Sequence, residues 1–195
     1  MMKLSRSECP TWFAEKIELW TQRWISKVNN PNTKNNWDWY DIEGKPTNQC
    51  LLPLLCFDTK NHCSYCDRRP LRKKEIDHFK SKVVFPNDAF NWNNLFLVCK
   101  ECNFIKLDSP SDLLLKPDED DYYFDRYFEY DDVSGDLIPK GDENSVEYKM
   151  ADNTIKLLRL NEDGLPEARK TISDNKHSFQ NYNIEKVSFR FIFDQ

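Results

Sequence analysis

The sequence predicts an α+β fold in which a cysteine-stapled segment of strand, loop, strand and helix lies between a helical N-terminal region and a mixed α/β C-terminal extension. Three observations predict it. Two C-x-x-C pairs, Cys63/Cys66 and Cys99/Cys102, bracket thirty-two residues (67–98), and paired knuckles bring four thiolates into the tetrahedron that a structural zinc prefers. Apolar residues upstream recur at helical spacing, and the downstream half alternates helical and strand-like periods between turn signals. The expected divisions are 1–60, 61–110 and 111–195, one compact unit overall, since 195 residues fall within the range of an ordinary domain.

Phe13, Ile17, Trp20, Trp24 and Val28 follow each other at spacings of four, three, four and four, which is one face of a helix. It is expected to start near Pro10 or Thr11 and to stop at Asn29-Asn30-Pro31. Core packing explains its aromatics better than a base-stacking platform. Residues 30–48 are polar and Asn-rich, and read as a loop that docks through Trp37, Trp39 and Tyr40. The apolar Leu51–Phe57 element carries Pro53, a residue suited to a first helical turn. Glu75 to Phe79 reads as a strand with Asp77 and His78 on opposite faces or at its end, 80–91 as a loop, Leu95 to Val98 as a second strand, and Cys102 to Lys106 as the opening of a helix.

Beyond Pro117, Tyr122 to Tyr130 reads as a strand, with a turn at Asp132 to Gly135 and a partner at Leu137-Ile138. Residues 145–160 read as a helix whose inner face is Met150, Ala151, Ile155 and Leu158, and a further helix is expected over Leu165 to Phe179. Val187, Phe189, Phe191 and Phe193 alternate along a last segment expected to be a half-buried strand, closing its own sheet in preference to adding to a partner's. No internal repeat is visible.

Hydrophobic residues make up 39% and aromatic ones 14% of the chain, which argues against general disorder. No apolar run approaches the ~18–20 residues of a membrane span, and the first residues lack the apolar core of a signal peptide. A cytoplasmic location with no membrane contact is expected, where seven cysteines favour metal ligation and buried thiols over disulfides. Cys9, Cys50 and Cys56 are expected as core thiols. The net charge of −5 is unevenly distributed. Residues 60–106 carry ten Lys/Arg against five Asp/Glu, a balance of +5, whereas 117–152 carry three against thirteen, a balance of −10. The basic excess thus coincides with the cysteine segment, where phosphate contacts are useful. The acidic segment is expected either to dock a basic partner or shield the basic face, or to be a solvated surface.

The bracketed segment holds a carboxylate beside an imidazole, Asp77-His78, then Asn94, and Asn103 follows the second pair directly. Oxygen donors of this kind suit a hard cation, and an imidazole suits proton abstraction from water near neutral pH. The run Cys63-x-x-Cys66, Ile76-Asp77-His78-Phe79, Asn94-Leu95 and Cys99-x-x-Cys102-Asn103-x-x-Lys106 resembles the HNH endonuclease family in its zinc-knuckle form, over about residues 62–108. Leu51-Leu52-Pro53-Leu54-Leu55, His62-Cys63-Ser64-Tyr65-Cys66-Asp67, Trp92-x-Asn94-Leu95 and Asn153-Thr154-Ile155 through Leu160-Asn161 widen the likeness to the HNH subunit of Septu anti-phage systems, including those associated with retrons.

The resemblance implies a ββα-metal core stapled by a four-cysteine zinc site at Cys63, Cys66, Cys99 and Cys102. It implies His78 as general base, Asp77 and Asn103 as ligands of a catalytic Mg²⁺ or Mn²⁺, and Asn94 as the residue that braces the loop and orients the histidine. It further implies hydrolysis of nucleic-acid phosphodiesters, DNA ahead of RNA, and an ATPase partner within a defence complex. Arg68, Arg69, Lys80, Lys82 and Lys106 are candidates for holding the backbone. The chain departs from the common family form in having Asn103 where histidine is usual, Phe79-Lys80-Ser81 where proline often follows the Asp-His pair, and no glycine in the loop to Asn91. A noncatalytic zinc module that binds nucleic acid or protein, and an adaptor derived from a nuclease, are the alternative functions.

Overall fold

The computed structural model describes residues 1–30, 32, 37–69, 71–109, 111–179 and 182–194. It is an α+β arrangement of six α-helical segments and three small antiparallel sheets among these residues. Buried side chains from Met1 to Ile192 form one continuous apolar cluster.

Helix α1 spans Thr11–Val28 behind Pro10. It buries Phe13, Trp20 and Trp24, the stripe its spacing predicts, with Ile17 and Val28 half-buried beside them. Of the expected stop signal, Asn29 caps the helix, while Pro31 and 33–36 lie outside the described residues. Trp24 Nε1 donates to the carbonyl of Lys82 at 2.7 Å, so α1 holds the loop that follows β3. Next come β1 (Asp41–Ile42) and β2 (Lys45–Pro46), a two-residue hairpin. Glu43 and Gly44 both have positive φ, the requirement of a type I′ turn.

Helix α2 spans Thr47–Asp58. It begins four residues before the apolar run, so Pro53 lies in its interior and not in its first turn. Pro46 precedes its first residue, and the buried Thr47 donates both its backbone N–H and its hydroxyl to the carbonyl of Tyr40. That anchoring, with Leu51 and Leu55 buried, outweighs the hydrogen bond that an interior proline removes.

Strands β3 (Lys74–His78) and β4 (Leu95–Cys99) pair antiparallel, Asp77 opposite Phe96 and His78 opposite Leu95. Every residue of β4 is buried, because α2 and α3 (Lys100–Lys106) both pack on this sheet. Knuckle, strand, loop, strand, knuckle and helix thus follow in the expected order.

The C-terminal half differs from expectation at three places. Residues 122–130 form a helical turn, α4 (Phe124–Tyr127), before a shorter strand β5 (Phe128–Tyr130) that pairs with β6 (Leu137–Pro139). Tyr122, Phe124, Tyr127 and Phe128 are all buried, a set that no two-residue period can place on one face. Helix α5 (Val146–Leu157) is capped by Ser145, whose hydroxyl accepts from Tyr148 N at 3.1 Å. Helix α6 (Leu165–Asp174) ends five residues before Phe179, and Lys176–Phe179 continues as a 3₁₀ turn.

The alternating tail is not a strand, neither in a sheet of this chain nor as a free edge for a partner. Phe189 has φ 58° and Arg190–Phe193 is a 3₁₀ turn. Its backbone is bonded by the first knuckle: Phe189 N donates to Asp67 O, Arg190 N and guanidinium both donate to the Asp67 carboxylate, and His62 Nε2 meets Val187 O at 2.8 Å. Phe191 stacks on Phe124 with centroids 4.3 Å apart. Ile192 is buried as well as Phe191, which breaks the alternation.

One further expectation is corrected. Cys9, Cys50 and Cys56 are half-buried rather than core thiols. The acidic segment is partly neutralised internally, since Asp118 is ion-paired with Arg6 and Lys116, each at 2.6 Å, and Arg126 pairs with Asp121 and Glu147.

Gly135 closes the β5–β6 turn at φ +84°, and a Cβ there would lie 2.2 Å from the carbonyl oxygen of Pro166. Gly135→Ala is therefore expected to cost at least about 2 kcal/mol through strain and backbone displacement, read as a lowered midpoint in thermal or urea unfolding.

Candidate functional site

The four knuckle sulfurs converge. Cys63 and Cys66 lie on the turn after α2, Cys99 ends β4 and caps α3, and Cys102 sits in the first turn of that helix. Their ligand atoms all lie within 4.8 Å of one another and all four residues are buried. Cys66 and Cys99 are 3.9 Å apart at sulfur, close to the ~3.8 Å that a tetrahedron of Zn–S bonds of ~2.3 Å requires. Backbone N–H groups of Cys99 and Cys102 point at the Cys63 and Cys99 sulfurs, favouring thiolates there. Without a cation, hydrogen bonds to the other three sulfurs, together with burial, hold the Cys102 thiol well above its usual range. A bound zinc removes that penalty.

From this staple β3 and α3 project the remaining groups. The pleat of β3 puts Glu75 and Asp77 on the face toward α3, and Ile76 and His78 on the other. Glu75, Asp77, Lys82, Lys100, Asn103, Phe104, Leu107 and Asp108 line a cleft of about 320 Å³. Asp77 is buried; its carboxylate accepts from Tyr65 OH at 2.6 Å and from Lys106 Nζ at 3.0 Å. Burial raises its pKa, opposed by Lys106 and Tyr65. Asn103 Nδ2 donates to Glu75 Oε2 at 2.6 Å, which leaves the amide oxygen Oδ1 as the atom free to meet a cation. The structure thus brings Asp77 and Asn103 to one cleft. Glu75 was not singled out in the sequence; the signal was its place two residues before Asp77 on the same strand face.

His78 lies elsewhere. It is 5% exposed, stacked on Trp39 with centroids 5.6 Å apart and met edge-on by Trp37 at 4.8 Å. Nε2 donates to the carbonyl of Ala89 at 2.9 Å, so Nδ1 carries the lone pair. Burial, with Lys82 adding to it, lowers the pKa to about 3, and the imidazole is neutral near pH 7. An unfolded histidine titrates near ~6.5, so the unfolded chain binds more protons than the native one between these two values. Stability should therefore be fully present above the unfolded value and fall as pH drops from there toward 3, with a slope of at most about 1.4 kcal/mol per pH unit. Melting curves of the wild type and His78→Phe between pH 7.5 and 5 check this: the variant should lose that part of the slope.

Asn94 braces the loop between the strands. Its Oδ1 accepts from Lys80 N at 2.7 Å, and its Nδ2 donates to the carbonyls of Lys80 and Asp88. Asn91 instead accepts from Asn93 N and donates to the Asp88 carboxylate.

The five basic candidates divide. Lys106 is fully buried and joins Asp77 to the carbonyl of His78; it is an internal strut and not a solvent-facing phosphate contact. Arg69 donates to the carbonyl of Glu185, and Lys80 pairs with Asp88 at 3.2 Å. Lys82 lines the cleft and lies over the Trp37 ring at 5.5 Å. Arg68 lines an adjoining groove on the knuckle side.

Residues 63–108 match the family described as HNH endonuclease. The chain is also 28% identical over 125 residues to "Septu protein PtuB" of Bacillus thuringiensis, a match that covers 62% of this chain and 43% of that protein. The matched stretch spans less than half the length of that relative. No helix among the described residues is long and apolar enough to cross a membrane.

Proposed function

We propose that this chain is a metal-dependent HNH endonuclease that hydrolyses nucleic-acid phosphodiesters, DNA ahead of RNA, as the effector of a Septu-type defence system acting with an ATPase partner. The observation that carries the reading is the meeting of Asp77 and Asn103 in one cleft, inside the residues that match the HNH family; His78, the next residue of β3, lies on the other face of the strand against Trp37 and Trp39. The likeness to Septu protein PtuB supports the defence role and the partner.

In this reading Asp77 and Asn103 Oδ1 would hold Mg²⁺ or Mn²⁺, hard cations that suit oxygen donors. The ion, when bound, would neutralise charge on the phosphodiester as it is cleaved. Glu75, by taking the Asn103 amide hydrogen, keeps Oδ1 turned toward the cleft. Lys106 neutralises Asp77 and positions it; the same cation competes with a metal for that carboxylate. His78 Nδ1, unprotonated at neutral pH, accepts a proton from the attacking water. Asn94 fixes the loop that presents Ala89 to His78. Trp37 and Trp39 cover the ring, so the attacking water reaches Nδ1 only if they move aside.

The enclosure of His78 and the ion pair on Asp77 favour a second reading, a noncatalytic adaptor built on the same fold. Incubating the purified protein, alone and with the ATPase subunit of a Septu-type system, with plasmid DNA and with total RNA in Mg²⁺ or Mn²⁺ separates the two. Cleavage that Asp77→Asn abolishes supports the nuclease. The absence of cleavage under every condition, with partner binding intact, supports the adaptor.

A further inference from the structure

The run from Arg68 to Lys74 holds five cations and no acid, Arg68, Arg69, Arg72, Lys73 and Lys74. Two of them serve the protein itself: Arg69 donates to Glu185 O and Lys74 to Asn61 Oδ1, each at 2.8 Å. The other three line a groove of about 480 Å³ together with Lys100, the first residue of α3. Arg72, Lys73 and Lys100 are exposed. Among the described residues, none of Arg68, Arg72, Lys73 and Lys100 forms an ion pair, and Glu101 is the one acid in the groove wall. Lys100 also lines the cleft of Asp77 and Asn103, so groove and cleft share a wall.

We propose that this groove is the track along which a nucleic-acid backbone approaches the cleft, with Arg68, Arg72, Lys73 and Lys100 neutralising its phosphates. The proposal rests on the nuclease reading and adds to it the surface that holds the substrate. Unpaired cations in a groove attract a polyanion and release its counterions on binding, and guanidinium groups match phosphate oxygens in pairs. Continuity with the cleft selects nucleic acid over an acidic protein, because a backbone lying in the groove leads a phosphodiester past Lys100 toward Asp77. The track also accounts for what the cysteine segment's charge does when Lys106, Arg69 and Lys80 are engaged elsewhere.

The test uses the full chain without added Mg²⁺ or Mn²⁺. Anisotropy of a labelled oligonucleotide, single-stranded and duplex, is followed from about 50 to about 200 mM salt, the range over which phosphate contacts are lost steeply. Arg72→Gln/Lys73→Gln/Lys100→Gln is compared with wild type and with Lys140→Gln/Lys149→Gln/Lys156→Gln, three exposed cations outside the groove. The groove variant should bind tenfold or more weakly, with the plot of log affinity against log salt shallower by about 2–3, near ~0.7–0.9 per phosphate contact removed. The control should match wild type. Equal melting points and zinc contents exclude misfolding.

Unchanged affinity and slope in the groove variant overturn the proposal. So does a wild-type protein that ignores both oligonucleotides but binds polyglutamate through these cations. If wild type binds through the groove yet cuts nothing with Mg²⁺ or Mn²⁺, alone and with the ATPase partner, the track stands and the nuclease reading falls. If wild type cuts and the groove variant binds and cuts equally well, the track falls and the nuclease reading stands.

Discussion

If the chain is the nuclease proposed above, replacement of His78 by alanine is expected to lower nucleic-acid cleavage at least ~100-fold, the lower bound for loss of a general base. No other imidazole is placed to substitute: His62 is bonded to Thr59 O and Val187 O on the first knuckle, and His177 lies on the Lys176–Phe179 turn. The ring also fills space beneath Trp37 and Trp39, so alanine leaves a cavity and destabilises the loop as well. His78→Gln separates the two effects, because an amide can still donate to Ala89 O while lacking a base of the right strength. Initial rates in Mg²⁺ and in Mn²⁺, beside melting curves, make the comparison. Both variants should retain zinc and a cooperative transition, and both should be inactive. Unchanged cleavage in either would remove His78 from the mechanism.

The second large effect is at the staple. Cys99→Ser is expected to unfold the segment from the first knuckle to α3, with loss of zinc. Cys99 ends β4, caps α3 and supplies a sulfur to the cluster, so one substitution removes a metal ligand at the junction of sheet and helix. Structural zinc contributes about 10–16 kcal/mol of apparent binding free energy, whereas a whole domain is stable by only about 5–15 kcal/mol. Zinc content measured after dialysis should drop below one per chain, and the unfolding transition should broaden or vanish at ambient temperature. A strong chelator should produce the same state in the wild type, and added zinc should reverse it. Cys50→Ser, at a half-buried thiol outside the cluster, should keep both zinc and melting point.

Much of the site was legible from the sequence because its signals are local. The two knuckles are two-residue spacings, and each is made within a single turn: Cys63 to Cys66 after α2, Cys99 to Cys102 at the cap of α3. The short strands carrying Asp77 and Leu95, and the helix carrying Asn103, follow from periods of two and 3.6. Helix α1 was readable for the same reason. The tail misled because period-two alternation is a necessary mark of a half-buried strand and not a sufficient one. Val187, Phe189 and Phe191 are buried, and Phe193 half-buried, by a chain that turns at Phe189, provided that something holds the turn, and here Asp67 does. The Tyr122–Tyr130 segment failed similarly: β-rich composition gave way to the packing of Tyr122, Phe124 and Tyr127 in the core.

What the sequence by itself determined is the staple, the order of strands and helix around it, and the concentration of positive charge on that segment. The tertiary structure alone decided that Lys106 pairs with Asp77 instead of facing solvent, that Glu75 holds Asn103, that Trp37 and Trp39 enclose His78, and that the tail binds the first knuckle. The physical reason is common to all four. Each is a contact between side chains far apart in the chain, and a charge, amide or ring has many partners of suitable chemistry along a sequence. Which one it meets is set by the packing of the whole core, whereas periodicity and knuckle spacing are set by the geometry of the backbone over a few residues.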